Sequence, residues 1–173
     1  SLARGDAIWQ DIERMFPEQA FGAAAAINLV EFVGHSPDAV ALPLSVTRAT
    51  FDSQGLSAGR TGYSVAENRE DIDNIWVMRK KAVGLLGAIQ GDKRPVPFVE
   101  DTAVPPEQLA DYIAEFRSLL DRHGLTYGMF GHVDAGVLHV RPALDLKDPK
   151  VLSIIKQLSD EVAALTQRYD GLL

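Results

Sequence analysis

Two histidines seven residues apart, His132 and His139, flank a glycine-bearing turn in Gly131-His132-Val133-Asp134-Ala135-Gly136-Val137-Leu138-His139. Read as a hairpin with Ala135-Gly136 as a two-residue loop, this segment pairs Asp134 with Val137, Val133 with Leu138 and His132 with His139. Directly opposed residues carry Cβ atoms about 4.5–5.5 Å apart on one face of a sheet. The spacing therefore predicts two imidazoles able to share one divalent metal, each at about 2.0–2.1 Å from it. A cation so held would act as a Lewis acid on a substrate hydroxyl or carboxylate oxygen. Two ligands do not complete such a site, and Glu100, Asp101 and Asp145 are the unplaced candidates for a third. Asp134 falls on the opposite face in this register. The alternative is that both histidines only satisfy local hydrogen bonds, and spacing leaves the two readings open.

Other chemistry-bearing residues are more dispersed. Arg79, in Trp76-Val77-Met78-Arg79-Lys80-Lys81, stands on a helical stretch otherwise aimed at a core. Its guanidinium could clamp a carboxylate bidentately or merely snorkel at the edge of an apolar face. Arg141 follows His139 by two and so shares its face in an extended strand, as an anion contact or an ordinary cross-strand charge. Glu100-Asp101 ends a strand, where an acid commonly caps the next helix. His35 and His123 fall at element ends, as cap or turn residues. No GxxxxGK loop, GxGxxG opening or GxSxG elbow occurs, so no recognisable motif binds a nucleotide here.

The elements that must position these residues are legible from periodicity. Apolar residues Ile8, Trp9, Ile12, Met15 and Phe16 predict a helix over 6–15, stopped by Pro17. The run Ile27, Leu29, Val30, Phe32, Val33 predicts a buried strand within 23–33, although the alanine-rich start leaves a helical reading open. Ser36-Pro37-Asp38 opens something helical, and 44–62 reads as a glycine-bearing loop. Ile72, Ile75, Trp76, Arg79, Val83 and Leu86 predict a helix over 68–88. A turn at 91–95 leads to an alternating strand at 96–104. A helix over 106–123 is started near Pro106 and stopped by Gly124, with Leu109, Tyr112, Ile113, Phe116, Leu119 and Leu120 as its apolar face. A glycine-punctuated strand pair follows over 125–140. A last helix spans 149–165, faced by Leu152, Ile155, Leu158, Val162 and Leu165. Strands and helices in this order predict an α+β fold, one domain over 1–173, with helices on one face of the sheet. Tyr169-Asp170-Gly171-Leu172-Leu173 reads as the start of another strand, as in a piece of a longer chain.

Composition narrows the function classes. The 173 residues suffice for one domain with its own core. A net charge of −7, with Lys and Arg scattered, argues against nucleic acid as a partner. The absence of cysteine removes disulfides, thiolate zinc sites and iron–sulfur ligation within this segment. No window approaches the apolar length of a membrane span, and Arg4, Asp6 and Asp11 interrupt any export signal. A cytoplasmic protein is expected, at most peripheral to the inner membrane.

Over Phe130-Gly131-His132-Val133-Asp134-Ala135-Gly136-Val137-Leu138-His139-Val140-Arg141-Pro142 the sequence resembles the C-terminal domain of FAD-linked oxidases. That group includes D-lactate dehydrogenase, glycolate oxidase and D-2-hydroxyglutarate dehydrogenase. Val99-Glu100-Asp101-Thr102-Ala103-Val104-Pro105 and the Trp76-to-Lys80 helix match in the family's order, and the likeness runs from about Ile27 to the end. The long form of the motif is most similar to large bacterial enzymes that append an iron–sulfur module. The resemblance implies a ferredoxin-like antiparallel sheet with helices on one face. It also implies oxidation of a 2-hydroxyacid to a 2-oxoacid, with loss of the C2 hydroxyl proton and hydride transfer to FAD. FAD would be held mainly by another domain of the same polypeptide. His132 and His139 would be the catalytic and metal-binding pair, with zinc as a candidate cation, and Arg79 would bind the substrate carboxylate; Arg141 is a substrate-binding candidate from its spacing to His139 alone. A homodimer is a further expectation, and an iron–sulfur cluster would lie elsewhere. Two departures stand out: the family's third ligand, in a Glu-His-Gly segment, is absent here, and Val99 occupies a position where some members carry lysine. A free-standing metal- or ligand-binding α+β domain without redox activity is the alternative.

Overall fold

The helices that start at Pro37 and Arg69 use the capping chemistry their sequences offer. A computed structural model describes residues 14–15, 26–54, 62–85 and 92–173. By its internal contacts the chain divides into two units, Arg4–Met78 and the part from Arg79 onward. In the first unit, helix α1 spans Pro37–Gln54. Pro37 takes the first helical position, and the Ala39 amide donates to Ser36 Oγ at 3.3 Å. The helix runs on through the stretch expected to be a loop, with Pro43 inside it, and 55–61 lie outside the described residues. Helix α2 spans Arg69–Leu85, its first turn capped by Asn68 Oδ1, which accepts from the Asp71 amide at 2.9 Å. The strand expected within 23–33 is not formed over its described residues, 26–33. Leu29, Val30 and Val33 are exposed there. Branched side chains favour an extended chain, but a strand persists only with a hydrogen-bonding neighbour. Most of the helix expected over 6–15 falls outside the described residues; Arg14 and Met15 are in a turn.

The second unit holds the sheet: β1, Arg94–Pro95; β2, Thr102–Ala103; β3, Tyr127–His132; and β4, Val137–Leu144. Helix α3 spans Leu109–Arg122 after a 3-10 turn at Pro106–Gln108, and α4 spans Val151–Arg168. β3 pairs antiparallel with β4 along its whole length. β1 and β2 run along the other edge of β4. Leu138 is opposed by Gly131 of β3 and by Thr102 of β2, so the two neighbours must lie on opposite sides. Likewise the Pro142 carbonyl accepts from Val96, while the adjacent Ala143 amide donates to Thr126 next to β3. Leu172 then forms an antiparallel bridge to Ala103, with reciprocal backbone bonds of 2.8 and 2.9 Å. The order across the sheet is therefore Leu172, β2, β4, β3. Of the strand expected over 96–104 only Thr102–Ala103 forms, and Arg94–Pro95, expected in the turn, is a strand instead: Pro95 pairs with Ala143 and Thr102 with Leu138, so residues 96–101 lie opposite only 139–142. Six residues against four make a wide bulge.

α3 and α4 cover one face of this sheet. Leu109, Tyr112, Phe116, Leu119 and Leu120 of α3 and Leu158, Val162 and Leu165 of α4 form one core with Leu138 and Val140 of β4. Complete burial of a side chain such as Phe116 is worth about 1.5–3 kcal/mol. Leu152, expected in that core, is 75% exposed, and Val151 is buried in its place. Neighbouring residues point about 100° apart on a helix, and the stripe Val151-Leu158-Val162-Leu165 leaves Leu152 outside it. The buried Tyr112 hydroxyl meets Thr166 Oγ1 at 2.8 Å. Thr166 spends its own proton on the Val162 carbonyl, so Tyr112 is the donor, and α3 and α4 are tied through the core. At the rim, Tyr169 Oη donates to Glu115 Oε1 at 2.7 Å and Arg168 pairs with the other carboxylate oxygen.

Gly136 closes the β3–β4 turn at φ +67°, and a Cβ there would lie 1.8 Å from the Val104 carbonyl oxygen. Gly136→Ala is expected to cost about 2–4 kcal/mol through backbone strain and this clash. An unchanged urea midpoint would contradict the turn geometry. The Tyr169 hydrogen bond, and after it the Arg168 guanidinium, hold the Glu115 carboxyl below its ordinary range. The folded state thus binds that proton less tightly than the unfolded chain. The contact adds stability above the unfolded pKa and loses it as pH falls through the folded one. In Glu115→Gln the acid limb of a melting-temperature profile should flatten; an identical limb counts against this contact.

Candidate functional site

Alternation along β4 sends Leu138 and Val140 into the core and leaves His139 and Arg141 on the sheet face away from α3 and α4. On β3, Tyr127 and Met129 pack against the same core, so Phe130 and His132 share the face of His139. The histidines are not directly opposed, as a two-residue loop would make them. Val133–Ala135 forms a 3-10 turn closed by left-handed Gly136, which makes a four-residue loop. His132 therefore faces Val137, and Phe130 faces His139. The register differs from expectation by two residues. Because side-chain direction has period two, both imidazoles stay on one face as diagonal neighbours. Their ring centroids are 5.8 Å apart at 83°. Asp134, expected on the opposite strand face, sits exposed in the turn.

Phe130 and the bulge complete the surroundings of His139. The Phe130 ring stacks on the imidazole with centroids 4.6 Å apart at 30°. The bulge delivers two carboxylates to the same face. Asp101 Oδ1 lies 2.6 Å from His139 Nδ1, and Glu100 pairs with Arg141 Nε. Neither acid caps the following helix: Pro105 precedes the 3-10 turn, which has no side-chain cap. Asp101 adopts φ +63°, a left-handed conformation that Asp tolerates better than most residues. Val99 beside them is buried in the core and anchors the bulge from the other side.

The structure thus brings His132, His139 and Arg141 onto one sheet face. Arg79 is exposed on α2. Of the apolar stripe expected on α2, Ile72 and Ile75 are half-buried and Trp76 is exposed, while Met78, outside that stripe, is buried. His123 ends α3 as expected and contacts Glu161, while His35 is exposed before α1. Sequence reading missed Phe130 as a ring partner, and it missed the pairing of Glu100 and Asp101. The usable signal was the Glu-Asp doublet at the end of a strand that has to run beside His139 and Arg141. As a metal centre the face is partial: among the described residues no group of three or more His, Cys, Asp or Glu could hold an ion. Two imidazole donors fit two corners of a tetrahedral site.

Residues 7–173 match the family described as FAD linked oxidases, C-terminal domain. The chain is 54% identical over 172 residues to a D-2-hydroxyglutarate dehydrogenase of Pseudomonas putida, an alignment covering 99% of this chain and 17% of that protein. It is 50% identical over 175 residues to a protein of the same name from Escherichia coli, covering 100% of this chain and 17% of the relative. The chain spans about a sixth of the length of these curated relatives. Among the described residues no helix is long and apolar enough to cross a membrane.

Both partners of the Glu100–Arg141 pair are mostly shielded from solvent. Removing either leaves a charge without its counterion, at a cost below that of a fully buried pair. A double-mutant cycle on Glu100→Ala and Arg141→Ala is expected to return a coupling of about 1–3 kcal/mol in chemical unfolding. Strict additivity would show that the pair contributes nothing to holding Arg141.

Proposed function

The chain belongs to the family of FAD-linked oxidase C-terminal domains, and from that premise we propose that it is the substrate-side domain of a D-2-hydroxyglutarate dehydrogenase. The observation that carries this reading is the sheet face away from α3 and α4. It presents two imidazoles and an arginine, each of the last two side chains held by a carboxylate from the bulge, in a chain half identical to enzymes of that name. D-2-Hydroxyglutarate, rather than D-lactate, is the substrate this similarity supports. We take residues 7–173 as one family domain. The order Leu172, β2, β4, β3, with α3 and α4 as the crossovers, supports a ferredoxin-like arrangement.

Oxidation of a 2-hydroxyacid removes a proton from the C2 hydroxyl and a hydride from C2. FAD, bound mainly by a part of the polypeptide outside this chain, would accept the hydride. A divalent cation such as zinc, held by His132 and His139, would polarise the hydroxyl. A carboxylate 2.6 Å from Nδ1 favours the proton on that nitrogen, and in that tautomer the His139 lone pair lies at Nε2. Nε2 can then hold the cation or the hydroxyl proton. Arg141, engaged by Glu100 through Nε, keeps its two terminal nitrogens for a substrate carboxylate. Arg79 would serve the second carboxylate of the diacid. Without cysteine the chain cannot ligate iron–sulfur clusters, so an appended module of that kind would lie elsewhere in the protein.

Kinetics of the full-length protein with an artificial electron acceptor test the assignment. D-2-Hydroxyglutarate should be oxidised faster than D-lactate, and Arg141→Ala should lower kcat/KM about 10–100-fold, the loss of one charged hydrogen-bonding contact. Preference for D-lactate, or an unaffected Arg141→Ala variant, would remove the diacid reading. Zinc calorimetry should show weaker binding for His132→Ala; equal affinity would refute its role as a ligand.

A further inference from the structure

We propose that Asp101 is a positioning residue that sets the tautomer and ring plane of His139. The proposal rests on the functional reading of His139 above and adds a residue to it. Asp101 reaches the ring only because the segment opposite β4 carries two surplus residues, which turn the chain outward between Pro95 and Thr102. Its backbone sits at φ +63°, where every side chain is strained relative to glycine. The carboxylate is 75% exposed and the imidazole 21%, so the ion pair itself contributes little to stability. Stability alone would be better served by glycine at this position. What the carboxylate does supply is direction. The negative carboxylate, with Oδ1 at 2.6 Å, favours the tautomer that carries the proton at Nδ1 and the lone pair at Nε2. Phe130 stacked at 4.6 Å limits tilting of the ring, and Asp101 limits its rotation within that plane. Nε2 is thereby readied as a metal donor or proton acceptor before any ligand arrives.

Histidine-selective 15N NMR of the full chain, without metal or substrate and at a pH where both imidazoles are neutral, reads the tautomer directly. Wild-type His139 is expected to favour the Nδ1–H form by about tenfold or more, as a charge-assisted contact implies. Asp101→Gly should reverse that preference while melting at or above the wild-type temperature, since glycine relieves the left-handed backbone. Asp101→Asn, able to accept through its amide oxygen, should restore part of it. An Nε2–H tautomer in the wild type overturns the proposal without any variant. An unchanged tautomer in Asp101→Gly overturns it too, as does a lowered melting temperature with the tautomer retained, which would leave Asp101 a purely structural role. Because no metal, flavin or substrate enters this measurement, its failure is separate from failure of the calorimetric and kinetic tests of the enzyme.

Discussion

The sheet face that gathers His139, Arg141 and two carboxylates depends on a mismatch in length along one edge of β4. Residues 96–101 must fit against 139–142, and the surplus leaves the ladder as a bulge. The bulge is held at both ends by pairing and in the middle by Val99 in the core. Its next two residues therefore project on the side away from the helices, beside the two strand residues, His139 and Arg141, that alternation has already placed there. One irregularity of pairing thus supplies both carboxylates, Asp101 to His139 and Glu100 to Arg141. A regular strand would have kept alternating, with one of the two acids pointing into the core.

The other edge of β4 is governed by Gly136. Its left-handed conformation closes a four-residue turn, and its missing Cβ lets the turn lie against the Val104 carbonyl. That contact joins the hairpin to the strand that carries the bulge: the Gly136 carbonyl accepts from the Val104 amide at 3.0 Å. Register on one side and the bulge on the other are consequently not independent. A shift of the hairpin by two residues would keep the histidines on their face but would trade Phe130 for another neighbour of His139.

Behind the sheet, α3 and α4 provide a stiff support. Their apolar stripes bury the alternate residues of β4, and the buried Tyr112–Thr166 hydrogen bond joins them where a hydroxyl without a partner would be costly. The open face can then carry charged and aromatic groups without contributing to the core.

The amino-acid sequence by itself determined the α+β class, the two long helices of the second unit, the strand pair between them, and the histidines and Arg141 as a set on one face. These follow from periods of 3.6 and 2, which are local properties of the chain. Family membership was legible in the same motif. The run at 26–33 misled because strand propensity says nothing about whether a partner strand exists, and 44–54 misled because its polar composition hid a helix already begun at Pro37. Only tertiary structure decided that Phe130 faces His139, that Asp101 and Glu100 reach His139 and Arg141, and that Leu152 lies outside the core. Each depends on how many residues one segment sets against another. That count is fixed by pairing and packing between distant parts of the chain, and no local pattern records it.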